Sequence, residues 1–298
     1  MTKQAGKERR PKNHVHEEQM DPERLMQSLR AHLSGPYLGQ RIQLHRRVAS
    51  TMPLAHALVA EAEDPARAAG ALILAEEQTA GRGRLDRTWQ APPGSSILAS
   101  LVVAGPLLPQ EPAQLPMIGG LAVLRALVAC RPELVGQVWL KWPNDVLLGP
   151  KAEEAGKVAG LLVESAFQDG RMVYAVLGMG INVNQSHSQL PTPRPGGIPP
   201  TSIRLFTGQA VDRTELLVAL CQALSHYLEP PARPTPAALH REWQAHLIHL
   251  GRRVRVQGPS QAGPVEGRVV ATTLTGGLVL ESEPGQRWTV QAGDVSIL

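Results

Sequence analysis

The chain has 298 residues, 43% of them hydrophobic, enough for one large domain and a smaller companion. Its 30 Lys and Arg against 26 Asp and Glu leave a net charge of +4, too slight for a bulk nucleic-acid binder. Two cysteines exclude a disulfide framework, and no apolar window reaches the roughly eighteen residues of a membrane span, so a cytoplasmic protein without a membrane partner is expected.

Residues 1–20 are polar and of mixed charge, which cannot offset the entropy of ordering, so a disordered tail is expected there. His14 and His16 lie in it and read as solvated rather than metal-binding. Asp21 as N-cap, Pro22 at the first helical position, a Leu25, Leu29, Leu33 stripe and Gly35 as the stop predict one amphipathic helix. Residues 41–47 alternate like an edge strand, and Ser50 can cap a helix running through Leu54 and Leu58 towards Asp64. ALILA, residues 71–75, is a short apolar strand, and Ser96–Ala104 is another, with Leu101 to Ala104 buried on both faces. A helix over 112–130 and a strand over 137–141 follow.

KVAGLLVESA and RMVYAVLG are predicted to pair as a hairpin around Asp169-Gly170. Residues 185–200 are rich in Pro and Gly and read as a loop; helices are expected over 212–229 and 236–250. Cys130 and Cys221 fall in helical segments and read as small buried hydrophobes. Past Gly251 come five short strand candidates with Gly-rich turns, the pattern of a small β-barrel, with a boundary near Leu250.

Four stretches can carry chemistry. AGRGRLDRTW, residues 80–89, offers planar arginine donors between glycines that let a backbone approach closely; it is either an anion clamp or a solvated basic turn. KWPNDVLL puts Asn144 and Asp145 in a turn, where they can bond the backbone, a ribose or the water shell of Mg²⁺. Lys157 opens the apolar strand KVAGLLVE, with Gly160 leaving space for a flat ligand; a snorkelling lysine with a bulge reads equally well. GMGINVN is no dinucleotide fingerprint, because no helix follows it.

In this order, Ser50-Thr51, QTAGRGR with Trp89, KWPND, KxxGxLxE, GxGxNVN and a terminal barrel, the chain resembles the biotin protein ligases over residues 38–298. The resemblance implies an α+β fold: a central mixed β-sheet with helices, class II synthetase-like and of the biotin/lipoate ligase type, plus a small C-terminal SH3-like β-barrel. It places a catalytic biotin- and ATP-binding domain at 21–250 and the barrel at 251–298. It implies that biotin and MgATP give biotinyl-5′-adenylate, whose biotin passes to a lysine of the biotin carboxyl carrier domain of acetyl-CoA carboxylase or a related carboxylase.

By the same resemblance, Ser50, Thr51 and Gln78 hydrogen-bond the ureido ring, with Met52 beside them and Gly160 on the pocket floor. Arg82 and Arg84 hold the biotin carboxylate and the α-phosphate, and Gly81 and Gly83 fold over the intermediate. Lys157 stabilises charge in both steps; Trp89 and Asn182 lie at the adenine; Asn144 and Asp145 place the nucleotide, Asp145 also being the metal-ligand candidate. The arginine loop acts as a lid that orders on ligand.

The chain departs from the family pattern in three places. Met52 stands where Asn is usual, the segment between Asp145 and Lys157 is long enough to protrude, and one predicted helix precedes the catalytic region. The last leaves no room for a winged helix-turn-helix, so a ligase that does not bind DNA is expected, monomeric or homodimeric. The rival readings are a lipoate or octanoate ligase or transferase, which the GRGR loop, KWPND and the barrel disfavour, and a single-stranded nucleic-acid module. An aromatic content of 3% argues against the latter.

Overall fold

The computed structural model describes residues 19–193, 196–258, 263–282 and 285–298. The expected tail falls outside them except for its last two residues. Helix α1 spans Pro22–His32, where the Asp21 carboxylate accepts the Glu23 N–H as an N-cap and Leu25 and Leu29 are buried. Leu33 is already extended, so the helix ends one residue before the predicted stripe does.

The large sheet has the strand order β1-β2-β3-β7-β6-β5-β4, with β1 Ile42–His45, β2 Leu72–Ala75, β3 Ser96–Ala104, β4 Val138–Lys141, β5 Asp145–Leu148, β6 Gly156–Gln168 and β7 Arg171–Asn182. β1 pairs parallel with β2 and the remaining neighbours are antiparallel, so the sheet is mixed and β1 is the edge expected from its sequence. β3 is buried along all nine residues, not only its last four. The β6–β7 hairpin turns on Asp169 and Gly170, both at positive φ.

Both faces of this sheet are covered, and alternation along the strands sorts the residues. Leu72, Leu74, Ile97, Ala99, Leu101 and Val103 join a core with α3 Gln114–Cys130 and α5 Arg213–Leu228. Ile73, Val102, Ala104 and Val176 point the other way, onto α2 Thr51–Ala60. Ser50 caps α2, which stops at Ala60, short of Asp64. Two short helices complete the set: α4 Ile203–Thr207, without a strong sequence signal, and α6 Pro236–Ala245. α6 ends five residues before the expected Leu250, because the chain there bridges β4: the Leu140 N–H donates to His246 O and the Ile248 N–H to Leu140 O. Cys221 is buried and its thiol pushed up to about 12; Cys130 is half-buried, its thiol raised by burial to about 11.

All five C-terminal strands form: β8 Arg253–Gln257, β9 Val265–Thr272, β10 Leu278–Ser282, β11 Gln286–Val290 and β12 Asp294–Ile297. They make an antiparallel meander in which β12 returns beside β8, the SH3-like small unit. Its Val254, Val256, Leu278 and Leu280 are continuous with the main core, and Trp142 from the β4–β5 turn donates its indole N–H to Gly276 O at 2.7 Å. The small sheet is thereby fixed against the turn that carries Asn144. Among the described residues no helix is long and apolar enough to cross a membrane.

Candidate active site

On the α2 side of the large sheet, side chains run out. Pairing across β3, β7 and β6 aligns Val102, Val176 and Glu164, then Ser100, Gly178 and Leu162, then Leu98, Gly180 and Gly160. α2 covers the first row with Ala55, Leu58 and Val59; beyond it the glycines leave a recess, and a cavity of about 910 Å³ opens there. That size suits a small-molecule site. Of the residues singled out from the sequence, Ser50, Thr51, Met52, Gln78, Arg82, Gly83, Arg84, Trp89, Asn144, Asp145, Lys157, Gly160 and Asn182 all line it.

One wall is the start of α2. Gln78 Oε1 accepts the Thr51 N–H at 2.8 Å and the Thr51 hydroxyl at 3.1 Å. Thr51 has one hydroxyl proton, so in that arrangement the 2.7 Å contact with Ser100 Oγ has Ser100 donating. Ser50 Oγ accepts the Met52 N–H, so its first duty is helix capping. Met52, 3% exposed, lies against the floor: a β-carbon at Gly178 would come within 2.7 Å of its sulfur.

Opposite stands the charged wall. Lys157 Nζ lies 2.7 Å from Asp145 Oδ1, since β5 and β6 are neighbours, and Asn144 donates to Leu161 O while its Oδ1 accepts from Arg84 at 3.1 Å. Lys141 closes this corner; burial draws its pKa below the ordinary value, Asp145 opposes that, and Lys157, Arg87 and Arg84 add to it. Burial likewise lowers Arg84, again against Asp145. Lys141, Lys157 and Arg84 stand close together around the Asp145 carboxylate, an arrangement that attracts an anion.

The arginine loop covers the mouth as a compact hairpin. The Gly83 N–H donates to Arg87 O and the Trp89 N–H to Gly81 O, while Leu85 and Asp86 take positive φ at the tip. Arg84 also reaches Gly293 O, and Arg87 pairs with Asp294, so the loop is tied to the small sheet. Trp89 lies over Gly160 and Gly180 with Lys157 Nζ 5.6 Å from its ring, and its buried Nε1 has no hydrogen-bond partner among the described residues. Gly81 departs from expectation: it does not line the cavity, because it sits at the neck of the hairpin, where any side chain would meet the Trp89 carbonyl. Asn182 is 4% exposed, and its amide bonds Thr201 O and Gln185 inside the protein.

Several lining residues escaped the sequence reading. Ser100 hid in an apolar strand; Asp294 to Ile297 and Arg252 come from the small sheet; Pro191 to Pro193 and Gly196 to Pro200 come from the proline-rich loop, tied to β6 through the Lys157 N–H and Pro199 O. The long 146–156 segment folds back instead of protruding. Ala152, Glu153 and Ala155 line the cavity, Glu153 pairs with Arg252, and Lys151 stays exposed. No group of three or more His, Cys, Asp or Glu that could hold a metal occurs among the described residues.

Residues 45–182 match the Biotin/lipoate A/B protein ligase family, and residues 249–298 the Biotin protein ligase C terminal domain. A biotin–[acetyl-CoA-carboxylase] ligase of Mycobacterium tuberculosis is 34% identical, over 80% of this chain and 83% of that protein; one from Paracoccus denitrificans is 32% identical, over 78% and 92%. A biotin protein ligase from Aquifex aeolicus, solved in complex with biotin and ATP, superposes with a TM-score of 0.64 at 25% identity, covering 87% of this chain and 99% of that one. The chain belongs to the biotin/lipoate A/B protein ligase family, and within it to the biotin protein ligases.

Proposed function

We propose that this cavity joins biotin to AMP and then delivers biotin to a carrier lysine, and that the charged corner of Lys157, Arg84, Lys141 and Asp145 is where the acyl-phosphate bond forms. One observation carries the reading: cations from β4, β6 and the arginine loop converge beside a recess of bare glycines. A carboxylate and a polyphosphate repel each other, and fixed cations in a partly buried site remove that barrier.

In this reading Thr51, Gln78 and Ser50 hold the ureido ring, Met52 and Gly160 flank the bicycle, and Arg82 and Arg84 hold the carboxylate and α-phosphate. Lys157, in reach of both reacting groups, offsets the charge that builds as carboxylate oxygen attacks the α-phosphorus and pyrophosphate leaves. When the acceptor amine attacks the mixed anhydride, the same ammonium steadies the departing AMP. Gly83 lets the lid backbone approach the intermediate, and Trp89 offers its ring face to the adenine near Asn182. Closing the lid keeps water from a hydrolysable anhydride.

Mg²⁺ enters this reading as a companion of ATP. Asp145 Oδ1 already meets Lys157 and Asn144 Oδ1 meets Arg84, so these residues can add one carboxylate to an ion held chiefly by phosphate and water. Bound there, the ion would neutralise phosphate charge. The acceptor is a biotin carboxyl carrier domain, 21–250 is the catalytic domain and 251–298 the barrel.

The test is biotin-dependent, lipoate-independent exchange of pyrophosphate into ATP. Lys157→Ala should cut that exchange by about 10²- to 10³-fold, the usual cost of one preorganised donor to developing charge, with the unfolding transition unchanged. Lipoate-dependent exchange, or near-normal exchange by Lys157→Ala, would overturn the reading.

A further inference from the structure

Arg82 pairs with Glu164, the closing residue of the KxxGxLxE pattern, which no role above uses. Glu164 Oε1 accepts from Arg82 Nη2, and Glu164 Oε2 accepts from His56 Nε2 at 2.9 Å. With its ring hydrogen on Nε2, donated to that carboxylate, neutral His56 leaves Nδ1 as an acceptor, and Tyr174 OH stands 3.1 Å from it. The two rings meet edge to face, 5.7 Å between centroids. Burial first, then the Arg82 charge, lowers the His56 pKa, which favours this neutral form.

The four residues come from four elements: the lid, β6, α2 and β7. Glu164 follows Gly160 and Leu162 on the same face of β6, and His56 follows Met52 by about one turn of α2. Gly160, Leu162, Met52 and Arg82 line the cavity, whereas Glu164, His56 and Tyr174 do not. Glu164, His56 and Tyr174 therefore stand outside the cavity lining, and Glu164 holds the loop through Arg82 as Asp294 holds it through Arg87. With both oxygens engaged, the carboxylate is held at one angle and offers Arg82 a fixed anchor.

We propose that Glu164, oriented by His56 and Tyr174, is a positioning residue: it fixes Arg82 at the cavity mouth and so prolongs closure of the lid over the adenylate. The proposal rests on the reading of the arginine loop as the lid of a biotin ligase. Arg82 and Glu164 are 43% and 35% exposed, so their pairing should shift lid closure by about two- to fivefold rather than by orders of magnitude.

The experiment preforms the adenylate on the full chain from labelled biotin and MgATP with pyrophosphatase, then follows its release into excess unlabelled biotin. Glu164→Gln, nearly isosteric, should release it about two- to fivefold faster and raise the KM for biotin more than it lowers kcat, with an unchanged thermal transition. His56→Asn, which spares both the lid and the carboxylate, should move release in the same direction by less. Arg82→Ala with Glu164→Gln should release no faster than Arg82→Ala alone. If Arg82→Ala speeds release and Glu164→Gln does not, or if the two effects add, the positioning role is wrong while the lid stands. If Arg82→Ala leaves release unchanged, the lid assignment falls and takes the role with it. Absence of any adenylate from the wild-type chain would sink the ligase reading itself.

Discussion

His249 joins the stability of the fold to the turn that carries Asn144 and Asp145. It is fully buried, its Nδ1 accepts the Trp142 N–H at 3.4 Å, and its Nε2 has no partner among the described residues. Burial, with Lys141 and Arg252 nearby, pushes its pKa from 6.5 down to about 3. A base whose folded pKa is depressed stays neutral in the fold while the unfolded chain takes up a proton. Stability is therefore complete above about pH 6.5 and is lost as the pH falls towards 3, by about 1.4 kcal/mol per unit. From pH 7 to pH 5 the loss from this one group is about 2 kcal/mol by linkage. His249→Asn can keep an acceptor for Trp142 and cannot titrate. Urea unfolding of both proteins at pH 7 and pH 5 should show a pH-dependent loss about 2 kcal/mol smaller in the variant, whatever constant offset its smaller side chain adds. Equal losses in the two proteins would refute the reasoning, because the other histidines titrate alike in both.

Gly178→Ala puts a methyl 2.7 Å from the Met52 sulfur and should raise the KM for biotin by about tenfold, as about 1–2 kcal/mol of overpacking is displaced into the pocket. Adding Met52→Ala should recover most of it, which steady-state exchange kinetics would check. Lys141→Met removes a half-buried cation and should raise the unfolding temperature by about 1–2 °C, as a gain of about 1 kcal/mol does in a chain of this size. The same change should weaken MgATP binding by calorimetry, so a destabilised variant with normal ATP affinity would contradict the assignment. Arg84→Ala should leave the melt unchanged and speed adenylate release about tenfold or more, as loss of a charge-assisted hydrogen bond would. Release at the wild-type rate would remove Arg84 from the clamp.

The legible part of this protein was local. Asp21, Ser50 and Asp212 announced three helix starts because capping uses donors within the first turn, and Asp169-Gly170 announced its hairpin because the turn needs positive φ at both residues. The arginine loop, KWPND and Lys157 could be read as one site only through their order, since no single stretch outweighed its ordinary explanation. Strand pairing decided the rest. It set Gly160 beside Gly180 and Gly178 against Met52, which turns scattered glycines into a floor. It brought Ser100 to Thr51 and Glu164 to His56, and docking of the small sheet carried Asp294 to Arg87. Such contacts join residues tens to hundreds of positions apart, and register, which fixes the face each side chain takes, is set by packing across the whole sheet rather than by any neighbour in sequence. The sequence thus determined which elements form and which charges the chain carries; the tertiary structure decided which of those charges face one another.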